Sequence, residues 1–485
     1  MLLSSLFEGS PDIEIKQLSI DSRLPMKDCI FFCLSGIRYN GHDYIKEAIK
    51  NGATVIVYEE DIDTSLDAVF IKVSNVEDCL NDIAVRFYNY PAKDLDTYVC
   101  AGCDGPSSVS YLLRALIENY KPCASIGVFG ILYGEHRLYS SVPTLTILDN
   151  QKYLNEFRKQ GMKACVFEAD ALSLSYKKLD SVSPDVFIYC STNENSGEFQ
   201  EIGINYYDVL CSYLYTLNDD TAIVLNRDDH SYDELIKATG DNFATYGFSS
   251  DSDFMIRNME LDRNGSSFDL CHDDETVHIK TRLLGINNVY NCTAALSALY
   301  MQGYELSELA AYLETIEPLA GVMEPVVCGQ KYEVIVDCAD NIANIHDVYE
   351  FASNVSSSAS KIVCVWGLNS QDEKENLRDI ARLSKEFIDH VILTENNSYS
   401  GNLNDVIRKV FPYFEGLRPV IIENRSFAIE SAVELMNDDD ILLILGKGDE
   451  TTITRNLGRE PYEGDRAIAE KAIKKRLNEE NCDIF

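Results

Sequence analysis

The chain has 485 residues and 46% hydrophobic content, enough apolar mass for several cores, and at about 100 to 200 residues per domain it divides into about three. Its 79 acidic and 42 basic residues leave a formal charge of -37, which repels phosphodiester backbones and anionic lipid surfaces, and no basic patch along the sequence offsets it. Nucleic acid is therefore excluded as a partner, and since no apolar run approaches the ~18 residues of a membrane span, so is membrane insertion. The fifteen cysteines are scattered through the chain, as expected of reduced thiols in a cytoplasmic protein. Cys100 and Cys103 come closest to a metal pair but have no second pair or nearby His to complete four ligands.

Strand-like apolar runs recur from the N-terminus onward at Ala53 to Tyr58, Ala124 to Phe129, Ala164 to Glu168, Val186 to Cys190 and Ala222 to Asn226. They resume at Val334 to Asp337, Ile362 to Trp366, His390 to Thr394, Pro419 to Ile422 and Ile441 to Gly446. Helix-period segments separate them, so the fold class is α/β, with parallel sheets and crossover helices. Phe254 to Thr281 differs: apolar and polar residues alternate around Arg263-Asn264-Gly265, which predicts an inserted hairpin. Boundaries fall near Tyr90-Pro91-Ala92-Lys93 and near Glu317-Pro318, giving segments 1–92, 93–318 and 319–485.

One turn carries a chemical pattern. Val99-Cys100-Ala101-Gly102-Cys103-Asp104-Gly105-Pro106-Ser107-Ser108 stands where a strand gives way to a helix predicted over Val109 to Glu118. A phosphate-binding loop there needs glycines for close backbone approach, a Lys for the β and γ oxygens and a hydroxyl for magnesium. Gly102, Gly105, Ser107 and Ser108 suit those roles, but Pro106 occupies the Lys position. Proline offers neither an ammonium nor a backbone N–H. It also suits an ordinary strand-turn-helix connection, being favoured at the first helical position.

The loop has neighbours in a fixed order. Asp21-Ser22-Arg23, Phe31-Phe32 and Gly41-His42-Asp43-Tyr44-Ile45 precede it, and Glu168, Asn226-Arg227-Asp228-Asp229 and Gly285-Ile286-Asn287-Asn288-Val289-Tyr290-Asn291 follow. Gly321-Val322-Met323-Glu324, Asp337-Cys338-Ala339-Asp340 and Gly446-Lys447-Gly448-Asp449-Glu450 complete the series. In these segments the chain resembles, nearly end to end, the Mur ligases of the MurE type. Those enzymes use ATP to add an amino acid to a UDP-N-acetylmuramoyl dipeptide in peptidoglycan synthesis. The resemblance implies a three-domain architecture: a uridine-nucleotide-binding-like domain over 1–92, a central P-loop-like ATPase domain over 93–318 and a Rossmann-like domain over 319–485. It further implies that Ser22, Arg23 and His42 contact a UDP-linked precursor, that Glu168 is a magnesium ligand and that Asn288 and Asn291 lie near an adenine. Each also has a structural reading, as a capped turn, a buried charge or a helix cap.

Several positions depart from the family's pattern. The family's GTNGKTT is here Gly102 to Ser108, with Pro106 for the Lys; its MEVSSHAL is Phe167 to Leu174, with Leu172 for the His. An Asp-His pair becomes Asn195-Ser196, the lysine carbamylated in the family aligns near Leu210, and the Arg of GRME is Val322. The His of DYAH is Asp340, and the Arg of DNPR is Tyr399. Phosphoryl transfer depends on cations and ordered magnesium around the transferred group, and such groups act as a unit. The expectation is a pseudoenzyme in which ATP and Mg2+ binding are weak or absent and which keeps a UDP-N-acetylmuramoyl peptide or a protein of cell-wall synthesis as its partner. Two alternatives stay open: an acid-amino-acid ligase with rebuilt phosphate ligands, for which Lys93 and Arg137 are candidates, and a scaffold that binds no small ligand.

Overall fold

The computed structural model describes residues 1–36, 39–140, 142–191, 205–370, 374–399, 402–414, 416–455 and 458–482. They form two compact units, Met1–Met255 with Thr293–Glu305, and Ile256–Cys292 with Leu306–Phe485.

The first unit opens with a parallel sheet of β1 (Gln17–Ser19), β2 (Cys29–Phe32), β3 (Ala53–Tyr58) and β4 (Val69–Lys72), in that order. All four residues of β2 are buried, the run expected of a strand covered on both faces. A larger sheet follows: β5 (Asp96–Ala101), β6 (Cys123–Gly127), β7 (Gly130–Tyr133), β8 (His136–Leu138), β9 (Ala164–Ala169), β10 (Val186–Tyr189), β11 (Ala222–Asn226) and β12 (Phe243–Gly247). The spatial order is β12-β11-β10-β5-β9-β6-β7-β8. Pairing is parallel from β12 to β6 and antiparallel in the β6-β7-β8 meander. β5 is thus interior, and the helix it feeds runs over Pro106–Ile117, burying Val109, Leu112, Leu113 and Leu116 on one stripe. That helix starts three residues before its predicted start at Val109 because Pro106, with its preset φ, forms the first turn.

The stretch predicted as one hairpin is three strands: β13 (Phe254–Asp262), β14 (Gly265–His272) and β15 (Glu275–Thr281). A second turn at Asp273, held at φ +48°, separates β14 from β15, which pair antiparallel from Ser266 with Thr281 to His272 with Glu275. The second unit also holds a six-stranded sheet of β16 (Glu324–Pro325), β17 (Glu333–Asp337), β18 (Ile362–Leu368), β19 (His390–Glu395), β20 (Val420–Ile421) and β21 (Ile441–Leu445). Its order is β16-β17-β21-β18-β19-β20, parallel except at β16. An antiparallel pair, β22 (Thr452–Arg455) and β23 (Gly458–Pro461), follows. In such sheets polar groups collect beyond the C-terminal strand ends. The cysteines from Cys29 to Cys364 are free thiols, and among the described residues no helix is long and apolar enough to cross a membrane.

Candidate functional site

The glycine loop leaves β5 at Ala101 and folds back on the end of β10. Cys103 N–H donates to the Ser191 carbonyl at 2.7 Å, and Ser191 Oγ donates to the Asp104 carbonyl at 3.0 Å. Gly102 sits at φ +145°, and a Cβ there would lie 2.7 Å from Ser191 O, so the close approach needs glycine. Gly105 is left-handed, at φ +97°, and Pro106 follows it, buried.

Next to Pro106, Ser107 and Glu168 satisfy each other. Ser107 Oγ donates to Glu168 Oε1 at 2.7 Å, and Val128 N–H donates to Glu168 Oε2 at 3.0 Å. A Cβ on Gly127 would come within 2.6 Å of that second oxygen. Glu168 is 7% exposed. Burial pushes its carboxyl above the usual range, the hydrogen bonds from Ser107 and Val128 oppose the shift, and Asp170 adds repulsion; no cation is among these influences. The loop's own charged side chain, Asp104, is an anion. Magnesium triphosphate needs cationic groups and metal ligands, and the loop Gly102 to Ser108 itself brings no cation. Leu172 is 38% exposed in the short helix Ala171–Ser175, and Leu210 is fully buried in an apolar core, so neither supplies a ligand. Asn195 lies outside the described residues.

The first sheet holds Ser22, Arg23 and His42 in internal bonds. Ser22 Oγ donates to Glu47 Oε2 at 2.5 Å. Arg23 grips Asp21 with Nε at 2.8 Å and Nη2 at 2.7 Å, although its side chain is 80% exposed. The pair holds the Asp21 carboxyl below the usual range. His42 Nε2 accepts N–H bonds from Glu59 at 3.1 Å and Glu60 at 3.3 Å, which puts the ring proton on Nδ1, 2.7 Å from Asn40 Oδ1. His42 therefore secures the chain just after β3. His42→Ala is expected to destabilise the protein by about 1–3 kcal/mol, because two N–H groups lose their acceptor; chemical denaturation measures this.

In the second unit, Asn288 Nδ2 donates to the Leu284 carbonyl at 2.9 Å and Asn291 Nδ2 to Asn288 Oδ1 at 3.3 Å, so both serve the start of the helix Ile286–Met301. Val322 is half-buried and Asp340 exposed. Between them in sequence, Asp337 is buried and accepts N–H bonds from Met323 at 2.6 Å and Ala339 at 2.7 Å. Burial dominates those bonds and pushes its carboxyl from 3.8 up to about 6. The unfolded chain then holds fewer protons than the folded one between about pH 4 and 6, so stability falls as pH rises through that window. Relative to Asp337→Asn, which cannot titrate, the native protein is expected to lose about 2–3 kcal/mol across it, measurable by denaturation at each pH.

Two features here escaped the sequence reading. Lys447 has a fully buried side chain whose Nζ donates to Glu450 at 2.7 Å, Asn396 at 3.1 Å and Asn397 at 3.4 Å; burial lowers its pKa against the pull of Glu450. The signal was a lone Lys two residues after the apolar run Ile441–Leu445, with a Glu three residues on. The second is the buried pair Arg425 and Asp465, 40 residues apart, which no local pattern discloses. Tyr399 is left-handed at φ +45°, and its N–H donates to the Thr454 carbonyl at 3.1 Å.

Comparison with known proteins matches three successive segments. Residues 14–88 match the Mur ligase family catalytic domain, 100–299 the Mur ligase middle domain and 323–448 the Mur ligase glutamate ligase domain. The chain is 27% identical to the UDP-N-acetylmuramoyl-L-alanyl-D-glutamate--2,6-diaminopimelate ligase of Halalkalibacterium halodurans, covering 98% of each chain. It is 27% identical to the ligase of the same name from Bacillus cereus, covering 96% of each. A solved structure of a UDP-N-acetylmuramoyl-L-alanyl-D-glutamate--2,6-diaminopimelate ligase superposes with a TM-score of 0.73 at 20% identity, over 98% of this chain and 99% of that one. MurF from Acinetobacter baumannii superposes with a TM-score of 0.62 at 17% identity, over 97% and 94%. With α/β units built on parallel sheets and three family segments in order, the chain belongs to the Mur ligase family.

Proposed function

We propose that this Mur ligase homologue has lost ATP-dependent ligation and acts in the cytoplasm as a pseudoenzyme that binds a UDP-N-acetylmuramoyl peptide. The observation that carries the reading is the Ser107 to Glu168 hydrogen bond of 2.7 Å beneath Pro106. The hydroxyl and carboxylate that would hold magnesium hold each other, and the residue that would supply an ammonium supplies none. The altered positions Leu172, Leu210, Val322 and Asp340 support the same reading, each offering an apolar or anionic group where the family pattern has a His, Lys or Arg.

The class of precursor comes from the relatives, which are named as ligases of UDP-N-acetylmuramoyl-L-alanyl-D-glutamate. On this reading the segment 1–92 is the nucleotide-binding domain. The exposed guanidinium of Arg23, oriented by Asp21, is the group best suited to a pyrophosphate, while Ser22 and His42 shape the turn around it. The segments 93–318 and 319–485 then serve as frame and as a surface for a cell-wall partner.

The test is an assay of the purified chain with UDP-N-acetylmuramoyl dipeptide, magnesium-ATP and amino acids, beside a binding titration with the dipeptide alone. Phosphate release is expected at background, with saturable precursor binding that Arg23→Ala weakens about tenfold or more. Amino-acid-dependent phosphate release would overturn the reading in favour of an active ligase, and absence of precursor binding would leave a scaffold.

A further inference from the structure

A second site lies at the opposite end of β5 from the phosphate loop. There the chain forms a cavity of about 360 Å3 lined by the start of β5, the turn before it and the segment leading into β10, a size suited to a small ligand. Three observations mark it. Gln151 lines it and is fully buried; its Nε2 donates to the Ser181 carbonyl and Oγ at 3.1 Å each. A carbonyl only accepts, so the amide orientation is set, and Oε1 is left with no donor, which is rare for a buried group. Tyr90 and Ser183 on the lining are both held at φ +49°, left-handed strain of the kind that accumulates at binding sites.

The third observation is charge. Lys93 Nζ lies 4.5 Å from the centre of the Tyr90 ring and pairs with no carboxylate among the described residues. Asp185 uses Oδ2 to accept from Thr97 N–H at 2.7 Å and Oγ1 at 3.1 Å, and among the described residues Oδ1 takes no bond. Asp96, the other lining carboxylate, is already paired with Lys121. The cavity thus offers one cation and one anion, while the unpaired Gln151 acceptor is buried in its wall.

We propose that it binds a free amino acid as its zwitterion, the carboxylate on Lys93 and the ammonium on Asp185. This inference does not depend on the loop or on precursor binding.

Calorimetric titration of the full chain with each standard amino acid, and with acetate, methylamine and glycylglycine, tests it. At least one free amino acid is expected to bind while those three probes do not. Lys93→Met and Asp185→Asn, both at exposed positions and checked for folding by circular dichroism, are each expected to weaken binding about tenfold or more. The proposal is overturned if no amino acid binds, if affinity survives both substitutions, or if acetate, methylamine or glycylglycine binds as tightly.

Discussion

Substituting Arg425 by Met is expected to destabilise the second unit by about 3–5 kcal/mol, the cost of leaving a buried charge without its partner. Both side chains of the Arg425 and Asp465 pair are fully buried. Nε reaches Oδ1 at 2.7 Å and Nη2 reaches Oδ2 at 2.6 Å, while Nη2 also donates to the Leu445 carbonyl at 2.9 Å. The Tyr462 hydroxyl adds a 2.6 Å bond to Asp465. A Cβ on Gly367 would run into Nη1, so the guanidinium fills space that the strand β18 leaves for it. Because the penalty arises from Asp465 left alone, the double variant Arg425→Met with Asp465→Leu is expected to lose less than the single one. Urea denaturation of native, single and double variants measures both; a double variant less stable than the single would contradict this account of the pair.

ATP turnover is the second large effect. Removing one donor aimed at transition-state charge costs about 10²–10³ in rate. On the reading proposed above, a loop without its cation and metal ligands bonded to each other are expected to lower turnover by at least about 10²–10³ relative to a working ligase, and by less than the product of the two effects, because such groups act as a unit. Pro106→Lys alone is expected to leave phosphate release at background, since the Ser107 and Glu168 bond, Leu210 and Val322 are all still in place. Steady-state phosphate release by both proteins, beside a working relative, reads this directly. Recovery by Pro106→Lys to within about a hundredfold of that relative would show that the lysine was the one deficit.

Much of this was written in local sequence. The strands Ala53–Tyr58 and Ala222–Asn226 coincide with their apolar runs residue for residue, because a strand buried on both faces leaves an uninterrupted hydrophobic signature. The turn between β14 and β15 was missed because Asp273-Asp274 lacks the glycine that advertises a hairpin, the left-handed conformation being taken by Asp273 itself. At the site, the type of residue at Pro106, Glu168 and Ser107 was legible, but not that Ser107 bonds to Glu168, 61 positions away. His42 shows a further limit: its motif suggests ligand contact, and its place under the Glu59 and Glu60 N–H groups adds a structural role that no motif discloses. Lys447 reads as a loop residue in sequence, and its burial depends on Asn396 and Asn397, which approach from another strand end.

The most direct measurement is calorimetric titration of the full chain with magnesium-ATP. With Pro106 in the loop and Glu168 engaged by Ser107 and Val128, no saturable heat is expected at millimolar nucleotide. Binding at micromolar concentrations would contradict the account, because it would require phosphate and metal ligands that the loop does not offer.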